Sequence, residues 1–337
     1  MNECWPPRAS AAKWHFGGRG CILPSGAGLP SRVGNSMAHT IPLSPGLSSR
    51  RIGLEVWMER VLEQADRARR DWDADAVHDL RVALRRCRTM AEALSEVNPA
   101  PGWRRLKKMS RQVFHTLGIL RDTQVEREWI KKLSAAGDPV RRLMLRNLGH
   151  EERKNIERAQ RALDRFDRKE WRKLSRKLPS KAQFFPLESV VFQRLALASL
   201  NEAVDLYQRA RKGRSRIAWH RLRIGVKRFR YIVENFLPKR YEAWGDDLKQ
   251  FQDLLGEVHD LDVLRIQVRK VCAGRDPAGV ATWLERIDGE RKLRLDQLRA
   301  KIGDKEFLWL AWRAGLQGGN TLETVSLLEA QGAYSAS

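Results

Sequence analysis

Apolar positions through most of the chain recur every three to four residues, the period of an amphipathic helix. Leu54, Trp57, Met58, Val61 and Leu62 set the rhythm at the start. From there to about residue 314 no stretch sustains the two-residue alternation of a half-buried strand, so the pattern predicts an all-α fold. Breakers cut it into segments at Asn98-Pro99-Ala100-Pro101-Gly102, Gly137-Asp138-Pro139, Pro179-Ser180, Phe185-Pro186, Pro238, Gly274-Arg275-Asp276-Pro277 and Gly303. Residues 1–47 are rich in Gly, Pro and Ser and lack periodicity, which predicts disorder; Met37 offers an alternative start. The pattern weakens again from Gly315, predicting a flexible tail over 315–337.

One segment returns. His78-Asp79-Leu80-Arg81-Val82-Ala83-Leu84-Arg85-Arg86-Cys87-Arg88 matches His220-Arg221-Leu222-Arg223-Ile224-Gly225-Val226-Lys227-Arg228-Phe229-Arg230, and the register carries on to Glu92 and Glu234. Leu117-Gly118-Ile119-Leu120-Arg121-Asp122 with Val125 then matches Leu255-Gly256-Glu257-Val258-His259-Asp260 with Val263. Glu152-Arg153-Lys154 and Glu290-Arg291-Lys292 keep this second register, four residues shorter than the first, a difference that the Pro-rich loop after Val97 absorbs. Two homologous helical halves follow, about 48–178 and 186–314.

On a helical wheel the repeated segment has two faces. Leu80, Leu84, Cys87, Ala91 and Leu94 form one; Leu222, Val226, Phe229, Val233 and Phe236 form its equivalent. These faces belong in a bundle core. His78, Arg81, Arg85 and Arg88 share a separate narrow arc, as do His220, Arg223, Lys227 and Arg230. A solvated helix face normally mixes acids with bases. Here like charges stand at i,i+3 and i,i+4, each pair costing roughly 0.2–0.5 kcal/mol. Glu92 and Glu234, at the ends of the arcs, are placed to orient the last arginine. An arrangement that repels itself twice is one that a bound anion would relieve. Arginine suits such an anion because its planar fork makes paired contacts with phosphate, and histidine adds hydrogen-bond donors. Arg104, Lys107, Lys108 and Arg111 add charge in the first half; in the second, only Lys249 matches Arg111, and Asp246 stands opposite Lys108. The two halves therefore need not contribute equally.

Composition agrees. The 337 residues carry 64 Lys and Arg against 41 Asp and Glu, a formal net charge of +23, which attracts polyanions. Charge alone does not choose among nucleic acid, an anionic membrane and polyphosphate. Cys4, Cys21, Cys87 and Cys272 are scattered without a CxxC pair, so neither a zinc site nor a disulfide framework is expected. No apolar run approaches the roughly 20 residues of a spanning helix, and the N-terminus lacks the apolar core of a signal peptide. The expectation is a cytoplasmic protein.

The paired His-x-x-Arg-[Val/Ile]-x-x-[Arg/Lys]-Arg-x-Arg helices, each followed by Leu-Gly-x-x-x-Asp-x-x-Val, resemble the CHAD family, the conserved-histidine α-helical domain. The segment Lys227-Arg228-Phe229-Arg230-Tyr231 is especially similar, and the resemblance covers about residues 50–312. It implies two four-helix bundles related by a pseudo-twofold axis. It also implies binding of inorganic polyphosphate through a shared basic surface, with association with polyphosphate granules. Carried over by position, the implied ligands are His78, Arg81, Arg85, Arg88, His220, Arg223, Lys227 and Arg230; the basic residues Arg86, Lys108, Arg111, Arg228 and Lys249 complete the predicted binding set. The family often stands beside a triphosphate-tunnel domain, for which this sequence leaves no room.

Three rival readings remain open on the residues alone. His78-Asp79 and His259-Asp260 could belong to an HD-type metal phosphohydrolase, but the arginines after His78 would repel a divalent cation, and His259 aligns with Arg121. Asp122 and Asp260 read better as helix caps or braces. A nucleic-acid binder would make the same phosphate contacts. It would also need accessible aromatics for the bases, and only Tyr231 and Trp219 lie near. A membrane surface fits less well, since the bundle uses up the apolar faces. No catalytic triad, phosphate-binding loop or carboxylate pair is legible, so the expectation is a binding protein without cofactor or metal rather than an enzyme.

Overall fold

A computed structural model of the chain describes residues 53–318, apart from 214, 304 and 305. All ten elements of the described residues are α-helices: α1 (Leu54–Arg70), α2 (Ala74–Val97), α3 (Pro101–Leu133), α4 (Pro139–Asp164), α5 (Arg168–Ala182), α6 (Val190–Lys212), α7 (Arg216–Phe236), α8 (Pro238–Val271), α9 (Pro277–Ile302) and α10 (Phe307–Gln317). The predicted helical class holds. The expected disordered segment and most of the expected tail lie outside the described residues. Of that tail, Gly315, Leu316 and Gln317 extend α10.

The breakers act as their chemistry dictates. Pro101, Pro139, Pro238 and Pro277 each occupy a first turn, where the missing N–H costs nothing. Asp73, Asp138, Asp167 and Asp276 cap helix N-termini, accepting from the backbone N–H three residues on. Pro179 is the exception: it sits in the last turn of α5, which runs three residues past it. Lacking an N–H, it forfeits the single hydrogen bond to the Ser175 carbonyl near the helix end.

The repeated segments become α2 and α7, of 24 and 21 residues, and the Leu-Gly motifs lie within α3 and α8, of 33 and 34. In the first half α2 packs on α1 and α3, and α5 closes against α1 and α3; in the second α7 packs on α6 and α8, and α10 closes against α6 and α9. Among the described residues each half thus contributes five helices. A continuous core runs through both, with Trp103, Trp171, Phe192, Phe229, Phe236, Phe251 and Trp312 among its members. A second core is shared by the far ends of α3, α4, α8 and α9: Trp129, Ile130, Met144, Leu264, Val268, Trp283 and Ile287. Trp283 of α9 donates to the Asp138 carboxylate that caps α4, at 2.9 and 3.0 Å, tying the halves together. Cys87 and Cys272 are buried free thiols. Among the described residues no helix is long and apolar enough to cross a membrane.

Candidate functional site

The apolar faces of α2 and α7 are buried as the wheel predicted, with Leu80, Leu84, Cys87, Leu222, Val226 and Phe229 all fully enclosed. That burial turns the two basic arcs toward the region where α2 meets α7 and α3 meets α8. Contacts between α2 and α7 run in opposite senses: Arg86 reaches Glu234 and Asn235, while Arg228 reaches Glu96 at 2.7 Å. The two helices are therefore antiparallel, and their arcs meet.

Four cations gather at the meeting point. Arg81 and Arg85 come from α2, Arg223 and Lys227 from α7, all half-buried. None forms a salt bridge with a carboxylate among the described residues. Lys227 lies in the field of Arg223, Arg85 and Arg81; burial first, then these three charges, hold its ammonium well below the usual lysine range, opposed by Asp260. Burial, with Arg85 and Arg223, brings Arg81 down to about 10. Arg81 lies over the Phe114 ring, 5.2 Å from its centroid, and donates to the Phe114 carbonyl at 3.3 Å. Gly118 makes room for it, because a Cβ there would stand 2.7 Å from Arg81 Nη1. Arg85 lies over the Tyr231 ring at 5.3 Å, and Arg223 keeps a buried Nε without a hydrogen-bond partner.

Histidines border the cluster. His220 and His259 approach Nδ1 to Nδ1 at 3.2 Å. Burial, then Arg223, His220 and Lys227, pushes His259 down to about 3; burial, Arg223 and Lys227 lower His220 as well, with Asp262 opposing. His78 is lowered by desolvation, then Arg121, Arg85 and Arg81, with Asp79 opposing. Asp79 itself is held by Arg67 on α1 at 2.7 Å. Behind the cations lies a set of acids from α3 and α8. Burial raises Asp260 to about 6, with Asp122 adding to it and Arg223 and Lys227 opposing. Burial and Asp122 raise Glu126 to about 7, and its Oε1 is buried without a partner. Among the described residues no group of three or more His, Cys, Asp or Glu side chains is arranged to hold a metal ion.

Other arc residues are occupied by protein groups. Arg88 is buried and donates to the Lys107 carbonyl at 2.6 Å and to Ser110 Oγ at 3.1 Å. Arg86 bridges the halves through Glu234 and Asn235 and lies 5.0 Å over the Trp57 ring. Arg228 pairs with Glu96 and Glu202. Arg230 lies 3.8 Å from Glu234, as expected of a carboxylate that orients the last arginine, and Lys107 lies 3.6 Å from Glu92. Lys108 and Arg111 are exposed and Lys249 half-buried. His259, Glu126 and the exposed His115 are absent from the sequence-derived set. His115 carried a signal, since it continues the face of Lys108 and Arg111 by a further turn.

Two solved structures share the fold. The crystal structure of the CHAD domain from the plant Ricinus communis superposes with a TM-score of 0.54 at 21% identity, covering 74% of this chain and 89% of that one. PptA from Streptomyces chartreusis gives 0.56 at 14% identity, covering 76% and 97%. No curated protein matches the sequence. The CHAD domain family model matches residues 55–269, more than half of the chain, and the protein therefore belongs to the CHAD domain family.

Proposed function

We propose that the protein binds inorganic polyphosphate across the junction of its two halves, as a binding protein rather than an enzyme. The observation that carries this reading is the convergence of Arg81, Arg85, Arg223 and Lys227 from two helices without a carboxylate salt bridge among the described residues. Half-buried like charges raise the free energy of the unliganded protein, and a polyanion removes that cost. Family membership supports the same reading. The contact set is His78, Arg81, Arg85, His220, Arg223 and Lys227, extended by Lys108 and Arg111, whereas Lys249 stands between Asp246 and Asp253 on α8. Arg86, Arg88 and Arg228 serve mainly to hold the helices.

A nucleic acid offers the same phosphates, but the aromatics near the arcs are not open platforms. Trp219 is 4% exposed and Tyr231 8%, with Arg85 over its ring. Stacking of bases needs an accessible ring face. The test is competition: unlabelled polyphosphate should displace labelled polyphosphate far better than RNA of equal charge. Equal displacement would transfer the reading to nucleic acid. Association with polyphosphate granules is the cellular expectation, checked by imaging the tagged protein in cells that make them.

A further inference from the structure

The two long helices that flank the cation cluster carry opposite charge on corresponding faces. Arg104, Lys108, Arg111, His115, Gly118 and Asp122 share one face of α3, at the helical spacing. Gly118 places that face beside Arg81 of α2. The matching positions of α8 are Glu242, Asp246, Lys249, Asp253, Gly256 and Asp260. With histidine counted neutral, α3 offers three cations and one acid, and α8 one cation and four acids. The acid face also borders the cluster, because α8 packs on α7 and His259, the neighbour of Asp260 on α8, stands 3.2 Å from His220 on α7. Apart from Lys249 and Asp260, the charged members of both faces are exposed.

The faces point to opposite ends. α3 starts at the C-terminus of α2, where Trp103 Nε1 donates to the Asn98 carbonyl at 3.1 Å. α8 starts at the C-terminus of α7, where the Tyr241 N–H donates to the Leu237 carbonyl at 2.9 Å. Since α2 and α7 are antiparallel, the first turns of α3 and α8 lie toward opposite ends of the pair. A line from one to the other passes from Arg104, Lys108 and Arg111, over the four clustered cations, to Asp253, Asp246 and Glu242.

We propose that this makes a one-ended polyanion track: the chain leaves the cluster along α3, and Asp253 and Asp246 on α8 stop it at the other end. The inference rests on the polyphosphate reading and adds to it a register and a limit on the number of phosphates engaged. A symmetric site would let a long chain run out over both helices. Here extra length is attracted on one side and repelled on the other.

The test uses the full chain and polyphosphate fractions of defined length. Asp246→Lys with Asp253→His installs on α8 the residues that α3 carries. It should raise affinity for long chains by about tenfold, the scale of one added charge-assisted contact. It should also steepen the log–log salt slope by about 0.7 for each further phosphate engaged. Chains short enough to sit on the cluster alone should change little. Lys108→Asp with Arg111→Asp should do the reverse, weakening long chains more than short ones. Circular dichroism checks that each variant is folded. Wild-type affinity and slope at every length in the α8 variant would overturn the track and leave polyphosphate binding standing. Failure of the wild-type protein to bind polyphosphate at any length would overturn both.

Discussion

The imidazoles of His220 and His259 meet nitrogen to nitrogen, Nδ1 to Nδ1 at 3.2 Å, at the border of the cation cluster. Such a contact holds one proton between two nitrogens, so one ring donates and the other accepts. Arg223 and Lys227 on α7 face both rings, Asp262 on α8 faces His220, and burial lowers each pKa. In the free protein the pair is neutral at physiological pH. A polyanion among these groups favours their protonated forms, so binding takes up protons. Affinity should rise as pH falls from 8 toward 5.5, by at most about tenfold per unit for each proton gained. Titration calorimetry in buffers of different ionisation heat measures the uptake, and His259→Gln should reduce it. Without ligand the sign is opposite. A histidine pKa held below its ordinary 6.5 makes the unfolded chain the stronger proton binder, so folding stability falls as pH drops through that value. An affinity that is flat across this window would contradict the neutral pair.

Arg86 should prove structural. Its guanidinium bridges Glu234 and Asn235 across the halves, and the Glu234 side chain is 7% exposed. Removing one partner of a buried pair leaves the other charge without full compensation, typically at about 3–5 kcal/mol. Arg230, 3.8 Å from the same carboxylate, offsets part of that. Arg86→Ala should therefore lower the urea midpoint markedly while changing polyphosphate affinity less than Arg85→Ala does. The double variant Arg86→Met with Glu234→Met should be more stable than the single losses sum to.

Much of this was legible in the sequence because the helical period constrains where side chains point. The wheel separated Leu84 and Phe229 from Arg85 and Lys227 correctly, and the repeat located both arcs. What it did not show is which neighbour comes near. Arg88 shares its arc with Arg85, yet a Ser110 hydroxyl and the Lys107 carbonyl of α3 fix it in place. Glu126 reads as an ordinary helix residue, and tertiary packing around α3 buries it. His259 aligns with Arg121 in the other half, so the repeat argued against it, while the packing of α7 on α8 sets it against His220. Pro179 reads as a breaker in any window, yet α5 ends only three residues after it, so the helix loses one bond and not its course.

The clustered cations should cost the free protein stability. Lys227 makes no ion pair among the described residues and sits in the field of Arg223, Arg85 and Arg81. Lys227→Met keeps the apolar stem and removes the charge. It should raise the melting temperature, by about 2–4 °C for each kcal/mol of repulsion relieved, and weaken polyphosphate binding. Arg85→Lys keeps the charge and loses both the fork and the stack on Tyr231, so affinity should fall there too. Calorimetric melts paired with binding isotherms separate the two effects. A Lys227→Met protein that melts lower and binds as tightly would refute the cluster as a ligand site.

Glu126 supplies a pH test of folding alone. Burial, with Asp122 nearby, raises its carboxyl from 4.5 to about 7. The folded state then binds the proton more tightly than the unfolded chain. Stability from this group is full below about pH 4.5, declines as pH rises toward 7, and stays lost above it. Glu126→Gln mimics the neutral form. It should be more stable than wild type at pH 8, by a few kcal/mol at most, with the gap closing as pH approaches 5. Denaturant melts at the two pH values decide, and a gap that widens on acidification would show that the sign is wrong.

Salt dependence reaches the mechanism of binding itself. A cation that neutralises a phosphate frees the counterion condensed there, so each contact adds a fixed increment to the slope of log affinity against log salt. For a flexible single-stranded polyanion that increment is roughly −0.7 per phosphate. His78, Arg81, Arg85, His220, Arg223 and Lys227 form the central set, and Lys108 and Arg111 extend it along α3. If six to eight phosphates are engaged, the slope should fall on the order of −4 to −6. Neutralising Lys108 and Arg111 together should make it shallower by about 1.4 if each serves one phosphate. A metal-bridged mode would behave differently, because a chelator would abolish it. The proposed contacts are direct, so EDTA should leave affinity and slope unchanged. Fluorescence anisotropy across a salt series, with and without chelator, supplies both readings. A slope near zero, or binding lost to EDTA, would remove the arginine–phosphate mechanism and return the metal-dependent hydrolase as the reading to test.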